Sequence, residues 1–333
     1  MLQTPERPLL AREGLPSLTP RPLVLLGPTA SGKTDLALEL GRLLDGEVVS
    51  VDSRQIYRRL EAGTAKPTGT WDAGPDGTKT YLVEGIPYHL VDLLDPREGL
   101  DAARYAKLAR EAIEDVQARG RRPILAGGSG MYLQAIFNGL DPLPPRSTEV
   151  RRRLEEELAW KGPAALGARL AELDPDGARW AGSNPRRLVR GLEVIEASGR
   201  PLSSLWTGRF LRDLPYDQAS FVGLEWDAGE LDRRIGTRAR AIWPALVREC
   251  AGLLEEGFRP EDPGLRTLGY PEGVAAATGS TPEGEALDRL IRLTRRFAKR
   301  QRTWLRRYRS VRWERPAPGL AGRLASEHLR WSG

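Results

Sequence analysis

Residues 23–36 read LVLLGPTASGKTDL, and this stretch decides the fold. Its centre, from Gly27 to Thr34, matches the pattern G-x-x-x-x-G-K-[ST], a loop that cradles phosphate groups with backbone amides and a lysine. An apolar run at 23–27 precedes the loop, and an apolar helical periodicity follows it as far as Leu44. We therefore predict a strand, a phosphate-binding loop and a helix, with a diphosphate or triphosphate as the ligand.

Two further strand-like segments end in polar or glycine residues. GEVVSVDS (46–53) loses its apolar character at Asp52, and RPILAGGSG (122–130) ends in glycines around Ser129. A helical pattern over 101–119 separates them. This alternation predicts an α/β fold, similar to that of P-loop NTPases, in which helices cover a mainly parallel sheet. Ligands of such sheets bind beyond the carboxyl ends of the strands, where we expect the phosphate loop and Asp52 to share one cleft.

The pattern changes near Leu140, where the chain becomes rich in proline and then helical, with no strand-like alternation until 221–227. We expect this helical region to be an insertion into the α/β core, broken at Gly162-Pro163, Asp174-Pro175 and Asn184-Pro185. The predicted divisions are an irregular tail at 1–20, a core formed by 21–140 and 221–333, and a helical insertion at 141–220.

Composition narrows the class of protein. The 333 residues include one cysteine, Cys250, which excludes internal disulfides and favours a reducing compartment. It lies in an apolar helical pattern and is expected to be a buried thiol. No apolar run is long enough to cross a bilayer, and no signal-peptide core follows the start, so we expect a cytoplasmic protein.

The basic residues are concentrated near the end of the chain. The net charge is +6, and residues 289–315 contain twelve basic side chains but one acid, Glu314. An amphipathic helix is predicted over 282–309, in which arginines alternate with Trp304 and Tyr308, and Gln301 interrupts the apolar stripe. One face of such a helix can pack on the core while the other meets a nucleic-acid backbone; a solvated basic helix is the alternative.

Other polar residues have catalytic and structural interpretations. Asp52 is placed to take a proton from an incoming nucleophile or to orient an acceptor hydroxyl, although it could also cap a helix over 53–60. Arg234 and Arg238 are four residues apart on one predicted helix face and could close over a phosphate opposite Lys33. For His89 we favour a structural pairing over catalysis.

Seven blocks of sequence, in order, resemble the tRNA dimethylallyltransferases, the bacterial tRNA isopentenyltransferase family. They are GPTASGKT, VDSRQIY, GTAKP, YHLVDLLDP, GGSGMY, NPRRLVRGLEV and AKRQRTWLRR. The resemblance implies Mg²⁺-assisted transfer of a dimethylallyl group from dimethylallyl diphosphate to N6 of the adenosine on the 3′ side of the tRNA anticodon. It also implies that the helical insertion grips the anticodon stem-loop.

The resemblance further implies roles for individual residues. Asp52 would be the base, Ser129 would assist at the adenosine, and Lys33 and Arg238 would meet the donor diphosphate. The diphosphate loop would comprise Gly27, Pro28, Thr29, Ala30, Ser31, Gly32, Lys33 and Thr34, with Thr34 as a ligand of Mg²⁺. The implied tRNA contacts are Asp52, Ser53, Arg54, Gln55, Ser129, Arg151, Arg186, Arg187, Leu188, Val189, Arg190, Lys299, Arg300, Gln301, Arg302 and Arg306.

Three other functions are compatible with parts of the sequence. A small-molecule kinase would explain the phosphate loop and Asp52, but not the basic helix or the insertion. An RNA-binding protein with a nucleotide switch would need no base at Asp52, and an isopentenyltransferase acting on free adenylate would need no basic helix. Nothing in the sequence indicates an obligatory protein partner, and we expect a monomer.

Overall fold

The computed structural model describes residues 20–74, 77–209 and 212–332. The irregular tail predicted at 1–20 lies outside these residues except for Pro20. The chain forms two compact units, the first comprising residues up to Phe137 and from Asp213 onward, and the second comprising Asn138–Arg212. None of the helices in the described ranges combines the length and apolar character that crossing a membrane requires.

The first unit contains one eight-stranded sheet within the described residues. The strands are β1 (Leu23–Leu26), β2 (Gly46–Val51), β3 (Thr70–Ala73), β4 (Lys79–Val83), β5 (Ile86–His89), β6 (Arg122–Gly127), β7 (Ser220–Leu224) and β8 (Arg312–Glu314). Their order is β3-β4-β5-β2-β6-β1-β7-β8. All pairs from β5 to β8 are parallel, and β3, β4 and β5 pair antiparallel at one edge. The predicted fold class is confirmed.

Helices flank this sheet and build the second unit. They are α1 (Lys33–Leu43), α2 (Ala102–Ala118), α3 (Gly130–Phe137), α4 (Thr148–Leu173), α5 (Pro175–Ala181), α6 (Pro185–Ser198), α7 (Ala228–Glu255), α8 (Tyr270–Ala277), α9 (Glu283–Leu305) and α10 (Leu320–Ser332). One face of the sheet packs on α1 and α10, where Leu25, Leu40, Val48, Ile124 and Leu324 are buried. Strands β1 and β2 are buried throughout, as a parallel sheet with two covered faces requires.

The second unit is helical, with its own core of leucines contributed by α4 and α6. The three predicted helix breaks are confirmed. Gly162 takes a non-helical conformation (φ 78°, ψ 169°) inside α4, directly before Pro163. Helices α5 and α6 each begin with a proline, Pro175 and Pro185, because a first-turn residue needs no intrahelical N–H bond.

Three features differ from the sequence-based expectation. Helix α7 continues through Pro244, although a proline ordinarily interrupts a helix. Helix α9 ends at Leu305, before the predicted Arg309, and is followed by β8 and α10, which were not predicted. The antiparallel edge β3-β4-β5 was also missed. Short strands such as β8 acquire their conformation by pairing with a neighbouring strand rather than from local propensity.

Two residues with open interpretations have structural roles. Cys250 is fully buried, as predicted, and burial raises the pKa of its thiol to about 12, which makes it a poor nucleophile. His89 Nε2 lies 2.6 Å from a carboxylate oxygen of Glu47, which also pairs with Arg119. Its pairing partner is thus on the neighbouring strand, whereas Asp92, three residues on, pairs with buried Lys66.

The cap of α6 offers a test of the second unit's stability. Asn184 Oδ1 accepts hydrogen bonds from the N–H groups of Arg186 (3.1 Å) and Arg187 (3.3 Å). We expect Asn184→Ala to lower the free energy of unfolding by about 1 kcal/mol, whereas Asn184→Asp, which keeps an acceptor at this position, should leave it within a few tenths. Thermal or urea denaturation of both variants measures this. Equal stability of the Ala variant and the wild type would contradict the capping role.

Candidate active site

The register of the sheet aligns three chain segments at one edge. Leu26, the last residue of β1, and Val51, the last residue of β2, both lie opposite Gly127, the last residue of β6. The residues that follow these strands are the start of the phosphate loop, Asp52 and the glycine segment 128–130. The expectation that these segments meet at the carboxyl ends of parallel strands is therefore met by the register itself.

The phosphate loop has the tight backbone that anion binding requires. Gly32 is left-handed (φ 84°) and precedes the first residue of α1, so the helix N-terminus faces the loop without a capping side chain. Ala30 is also left-handed (φ 64°). Gly27 leaves no room for a side chain, since a Cβ there would lie 2.7 Å from Ser31 Oγ. These features concentrate N–H groups and the positive end of the helix dipole at one concavity.

Ser31 and Thr34 provide hydroxyl groups in or beside this loop. The Ser31 Oγ is buried and has no hydrogen-bond partner within the described residues. Buried polar groups are nearly always satisfied, so an unpaired hydroxyl in an anion-binding loop is consistent with a ligand that supplies the partner. Thr34 is half-buried in the first turn of α1. The part of the chain that the structure describes contains no cluster of three or more His, Cys, Asp or Glu residues suited to a metal.

Cationic side chains converge on the loop. Lys33 Nζ donates to the carbonyl of Pro28 at 3.3 Å, and burial lowers the pKa of Lys33 to about 8, a shift that the Asp52 carboxylate opposes and Arg238 reinforces. Arg238 Nη1 donates to Thr29 Oγ1 at 3.3 Å, and burial likewise lowers the pKa of Arg238. Two partly desolvated cations beside one loop favour a ligand with more than one negative charge.

The second arginine of the predicted pair also reaches the loop. Arg234 Nε donates to the carbonyl of Ala30 at 2.9 Å, and its guanidinium lies over the ring of Trp226, 4.4 Å from the centroid. Trp226 Nε1 in turn donates to the carbonyl of Ser31 at 3.0 Å. Arg238 thus contacts a side chain of the loop, whereas Arg234 and Trp226 donate hydrogen bonds to its backbone carbonyls.

Asp52 lies directly after β2 and is half-buried. Its Oδ1 accepts the backbone N–H of Arg54 at 2.8 Å, and residues 53–60 form turns and an isolated β-bridge at Tyr57 but no helix, so the alternative that Asp52 caps a helix is wrong. Ser53 beside it is also half-buried, and Arg54 Nη1 donates to Thr267 Oγ1 at 3.3 Å. The carboxylate keeps a second oxygen for the cleft while its position is held by the turn.

Gln55 has a structural position. It is buried and accepts a hydrogen bond from Ser50 Oγ at 2.7 Å, while its Nε2 donates to the carbonyl of Ala65 at 3.0 Å. The side chain therefore ties the end of β2 to the GTAKP segment. In that segment the side chain of Lys66 is buried and forms ion pairs with Glu61 and Asp92. Pairing with two carboxylates offsets the cost of burying the Lys66 charge.

The glycine segment is shaped by close packing. A Cβ at Gly128 would lie 2.6 Å from the carbonyl oxygen of Gly27, so only glycine lets the two loops touch. Ser129 is half-buried between Gly128 and the start of α3, and its carbonyl accepts the N–H groups of Tyr132 and Leu133, both at 3.1 Å. The helix thus fixes the backbone that carries the Ser129 hydroxyl.

Aromatic residues near Asp52 were missed by the sequence analysis. The rings of Tyr105 and Tyr132 stack with centroids 3.9 Å apart. Burial raises the pKa of both hydroxyls and of Tyr88, and the Asp52 charge contributes to each shift. The three tyrosine hydroxyls therefore stay protonated and neutral at physiological pH. Tyr132 ends the GGSGMY block, whose glycines and serine indicated a loop. No local sequence pattern pairs Tyr132 with Tyr105.

The basic end of α9 carries residues of two kinds. Lys299, Arg300 and Arg306 are exposed and Arg302 is half-buried, while Gln301 is buried. Arg306 is paired with Glu225 at 3.1 Å. The exposed side chains form a positively charged surface, and Gln301 belongs to the interior of the first unit.

The predicted residues of the second unit are also of two kinds. Arg186 and Arg187 are exposed at the start of α6, whereas the side chains of Leu188 and Val189 are buried in the helical core. Arg190 donates to the buried carboxylate of Glu193 at 3.0 Å and to the carbonyl of Pro144 at 2.8 Å. In α4, Arg151 is half-buried, with Nε 3.5 Å from Glu155.

Comparison with known proteins supplies independent findings. The family described as IPP transferase matches residues 55–308. The chain is 38% identical over 311 residues to the tRNA dimethylallyltransferase of Elusimicrobium minutum, covering 93% of this chain and 99% of that protein. It is 44% identical over 296 residues to the enzyme of the same name from Streptomyces avermitilis, covering 88% and 90% of the two chains.

Solved structures agree with this assignment. The full-length tRNA isopentenylpyrophosphate transferase of Bacillus halodurans superposes with a TM-score of 0.64 at 29% identity, covering 94% of this chain and 97% of the other. A eukaryotic dimethylallyltransferase acting on tRNA gives a TM-score of 0.67 at 26% identity, covering 85% and 69%. Sequence and fold agree over nearly the whole length, and the chain therefore belongs to the IPP transferase family, together with the tRNA dimethylallyltransferases.

Proposed function

We propose that this protein transfers a dimethylallyl group from dimethylallyl diphosphate to N6 of the adenosine 3′ to the anticodon of tRNA, releasing diphosphate. The observation that carries the proposal is the placement of a cationic phosphate loop and a carboxylate at the ends of two parallel strands, β1 and β2, that flank β6. Membership of a family whose named relatives are tRNA dimethylallyltransferases supplies the group and the acceptor. We also propose that it acts in the cytoplasm, where its tRNA substrate is found.

In this reaction the bond from the allylic carbon to the diphosphate oxygen breaks as the bond from N6 to that carbon forms. N6 is a weak nucleophile because its lone pair is delocalised into the purine ring. We assign Asp52 to the proton that N6 must lose, and Ser129 to orientation of the adenosine. The charge that develops on the leaving diphosphate would be stabilised by the loop amides, Lys33 and Arg238.

Magnesium fits this donor set as an ion shared with the substrate. Mg²⁺ commonly binds through one or two protein oxygens together with substrate phosphates. The Thr34 hydroxyl, in the first turn of α1, and the phosphate oxygens of the substrate suit that arrangement. When bound, the ion would neutralise charge on the diphosphate.

For tRNA binding we propose the exposed basic residues of each unit. These are Lys299 and Arg300 on α9, and Arg186 and Arg187 on α6, to which we add the half-buried Arg302 on α9. A loop adenosine must leave its stack to reach Asp52, and single-stranded loops are the usual target of sequence-specific RNA recognition.

Mass analysis of tRNA nucleosides after reaction tests the function and the base together. The wild type should convert adenosine to its dimethylallyl derivative, and Asp52→Asn should lower turnover by about 10²–10⁴ because the amide cannot accept the proton. Affinity for tRNA should change little. Asp45→Asn is the matched control, since Asp45 is an exposed aspartate at the opposite end of the same strand.

The same assay separates the alternatives. A phosphorylated product from ATP, with no alkylated tRNA, would identify a small-molecule kinase. Alkylation of free AMP in preference to tRNA would identify an adenylate isopentenyltransferase. Near-normal turnover in Asp52→Asn would show that Asp52 is not the base.

Diphosphate binding should depend on pH through Lys33. The folded pKa of Lys33 is about 8, below its ordinary value of 10.5, and the protonated form is the one that attracts the anion. Affinity should therefore be full below pH 8 and fall as pH rises through 8. Lys33→Arg stays protonated over this range. Calorimetric titration with inorganic diphosphate should show a steeper decline above pH 8 for the wild type than for Lys33→Arg; parallel curves would refute this role of Lys33.

The basic face of α9 should govern the salt dependence of tRNA binding. Replacing Arg300 and Arg302 together by Gln should weaken binding and reduce the slope of log affinity against log salt by about 0.7–0.9 for each phosphate that the protein no longer neutralises. Arg42→Gln with Arg323→Gln, on α1 and α10, removes the same charge from other helices and serves as the control. An unchanged slope in the α9 variant would indicate a merely solvated basic helix.

A further inference from the structure

Gln301 joins the two loops of the active site. Its Oε1 accepts the backbone N–H of Thr29, in the phosphate loop, at 2.9 Å. Its Nε2 donates to the carbonyl of Gly128, in the loop that carries Ser129, at 3.2 Å. A backbone N–H can only donate and a carbonyl can only accept, so these partners fix the orientation of the side-chain amide.

The bridge is buried and well supported. Gln301 is 9% exposed, on a helix whose neighbouring positions on either side are basic. A polar residue in the apolar stripe of a helix costs free energy unless its hydrogen bonds are made, and here both are made to backbone groups of other segments. The Gly128 position is shaped for this contact, since a Cβ there would lie 2.3 Å from Gln301 Nε2.

The next turn of the chain packs on the same loop. A Cβ at Gly130 would lie 1.8 Å from Cδ1 of Trp304, so the indole rests directly on the glycine backbone. The Tyr308 hydroxyl lies 3.4 Å from the Gly130 carbonyl and 3.2 Å from Gln134 Oε1. The buried side chains of segment 301–308 therefore pack on the loop that carries Ser129 at several points. Gln301 also contacts the phosphate loop.

The phosphate loop is thereby connected both to Arg238, proposed to bind the donor diphosphate, and to the loop that carries Ser129, proposed to orient the acceptor adenosine. Thr29 is bonded through its N–H to Gln301 and through its hydroxyl to Arg238. Gly128 directly precedes Ser129 in the chain. A shift in the Gln301 amide would change the separation between the donor loop and the acceptor loop without removing any charged group.

We propose that Gln301 is a positioning residue, which sets the distance between the donor diphosphate and the adenosine and does not itself bind tRNA. This inference rests on the proposed function and assigns Gln301 differently from its basic neighbours Arg300 and Arg302. Productive transfer requires the attacking nitrogen close to the allylic carbon and in line with the leaving group, and small displacements of that geometry are costly.

Gln301→Met tests the proposal, because methionine has a similar length and volume but makes neither hydrogen bond. With dimethylallyl diphosphate and unmodified tRNA, we expect kcat to fall by about 10- to 100-fold and KM for the donor to rise several-fold. The dissociation constant for tRNA and its salt slope should stay within about twofold, unlike those of the α9 variant that lacks Arg300 and Arg302.

A second variant and a matched control separate positioning from general stability. Gln301→Glu keeps an acceptor for Thr29 but presents a carboxylate oxygen to the Gly128 carbonyl, so it should impair kcat at least as much as methionine does. Gln117→Met makes the same chemical change on α2, where Gln117 Nε2 donates to the Pro20 carbonyl at 2.8 Å. It should retain wild-type kinetics, and thermal denaturation should show that all variants are folded.

Three outcomes are decisive. Transfer by the wild type, with Gln301→Met impaired in kcat and donor KM but not in tRNA affinity, would support the inference. Wild-type kinetics in Gln301→Met or Gln301→Glu, or a loss confined to tRNA affinity, would overturn it and leave the proposed function standing. Absence of any transfer by the wild type would remove the proposed function and this inference together.

Discussion

The close approach of three strand ends is the constraint on which the site depends. Gly127 lies between Leu26 and Val51 in the sheet, and a Cβ on it would lie only 2.0 Å from the carbonyl oxygen of Val51. Because no side chain fits there, the backbones of β2 and β6 approach closely where the loops begin. The phosphate loop and Asp52 therefore begin close together, each directly after the end of a buried strand.

The electrostatics of the site follow from this proximity. Lys33 and Arg238 lose solvation beside the phosphate loop, which lowers the pKa of each, and the Asp52 charge partly offsets the loss. The free protein thus contains partly desolvated cations that gain from an anionic ligand. In the proposed reaction these opposite charges serve different partners, with the cations at the leaving diphosphate and the carboxylate at the purine amine.

The basic helix α9 presents two different faces. Its exposed side chains are suited to a polyanion, whereas Gln301 and Trp304 hold the loops of the active site. One rigid element thus connects an electrostatic surface with the geometry of the reaction. In the second unit the same division occurs within α6, where Arg186 and Arg187 are exposed and Leu188 and Val189 are buried.

Local interactions determined what the sequence could predict. The phosphate loop, the strand before it and the helix after it are encoded within about fourteen consecutive residues, because amides and the helix N-terminus of neighbouring residues build the anion site. The helix breaks at Pro163, Pro175 and Pro185 were equally predictable, since proline acts on its own turn. The alternation of strands and helices then determined the fold class and which strand ends would carry the site.

The tertiary structure decided the contacts between distant segments. Thr29 and Gln301 are 272 residues apart, and Ser31 and Trp226 are 195 apart, so no local pattern pairs them. The resemblance to the tRNA dimethylallyltransferases placed Gln301 and Gln55 among the residues that contact tRNA; in the structure both are buried and bonded to backbone groups. The apolar periodicity of a segment predicts which face of a helix or strand each side chain occupies. The residues that a side chain contacts depend on how the helices and strands pack.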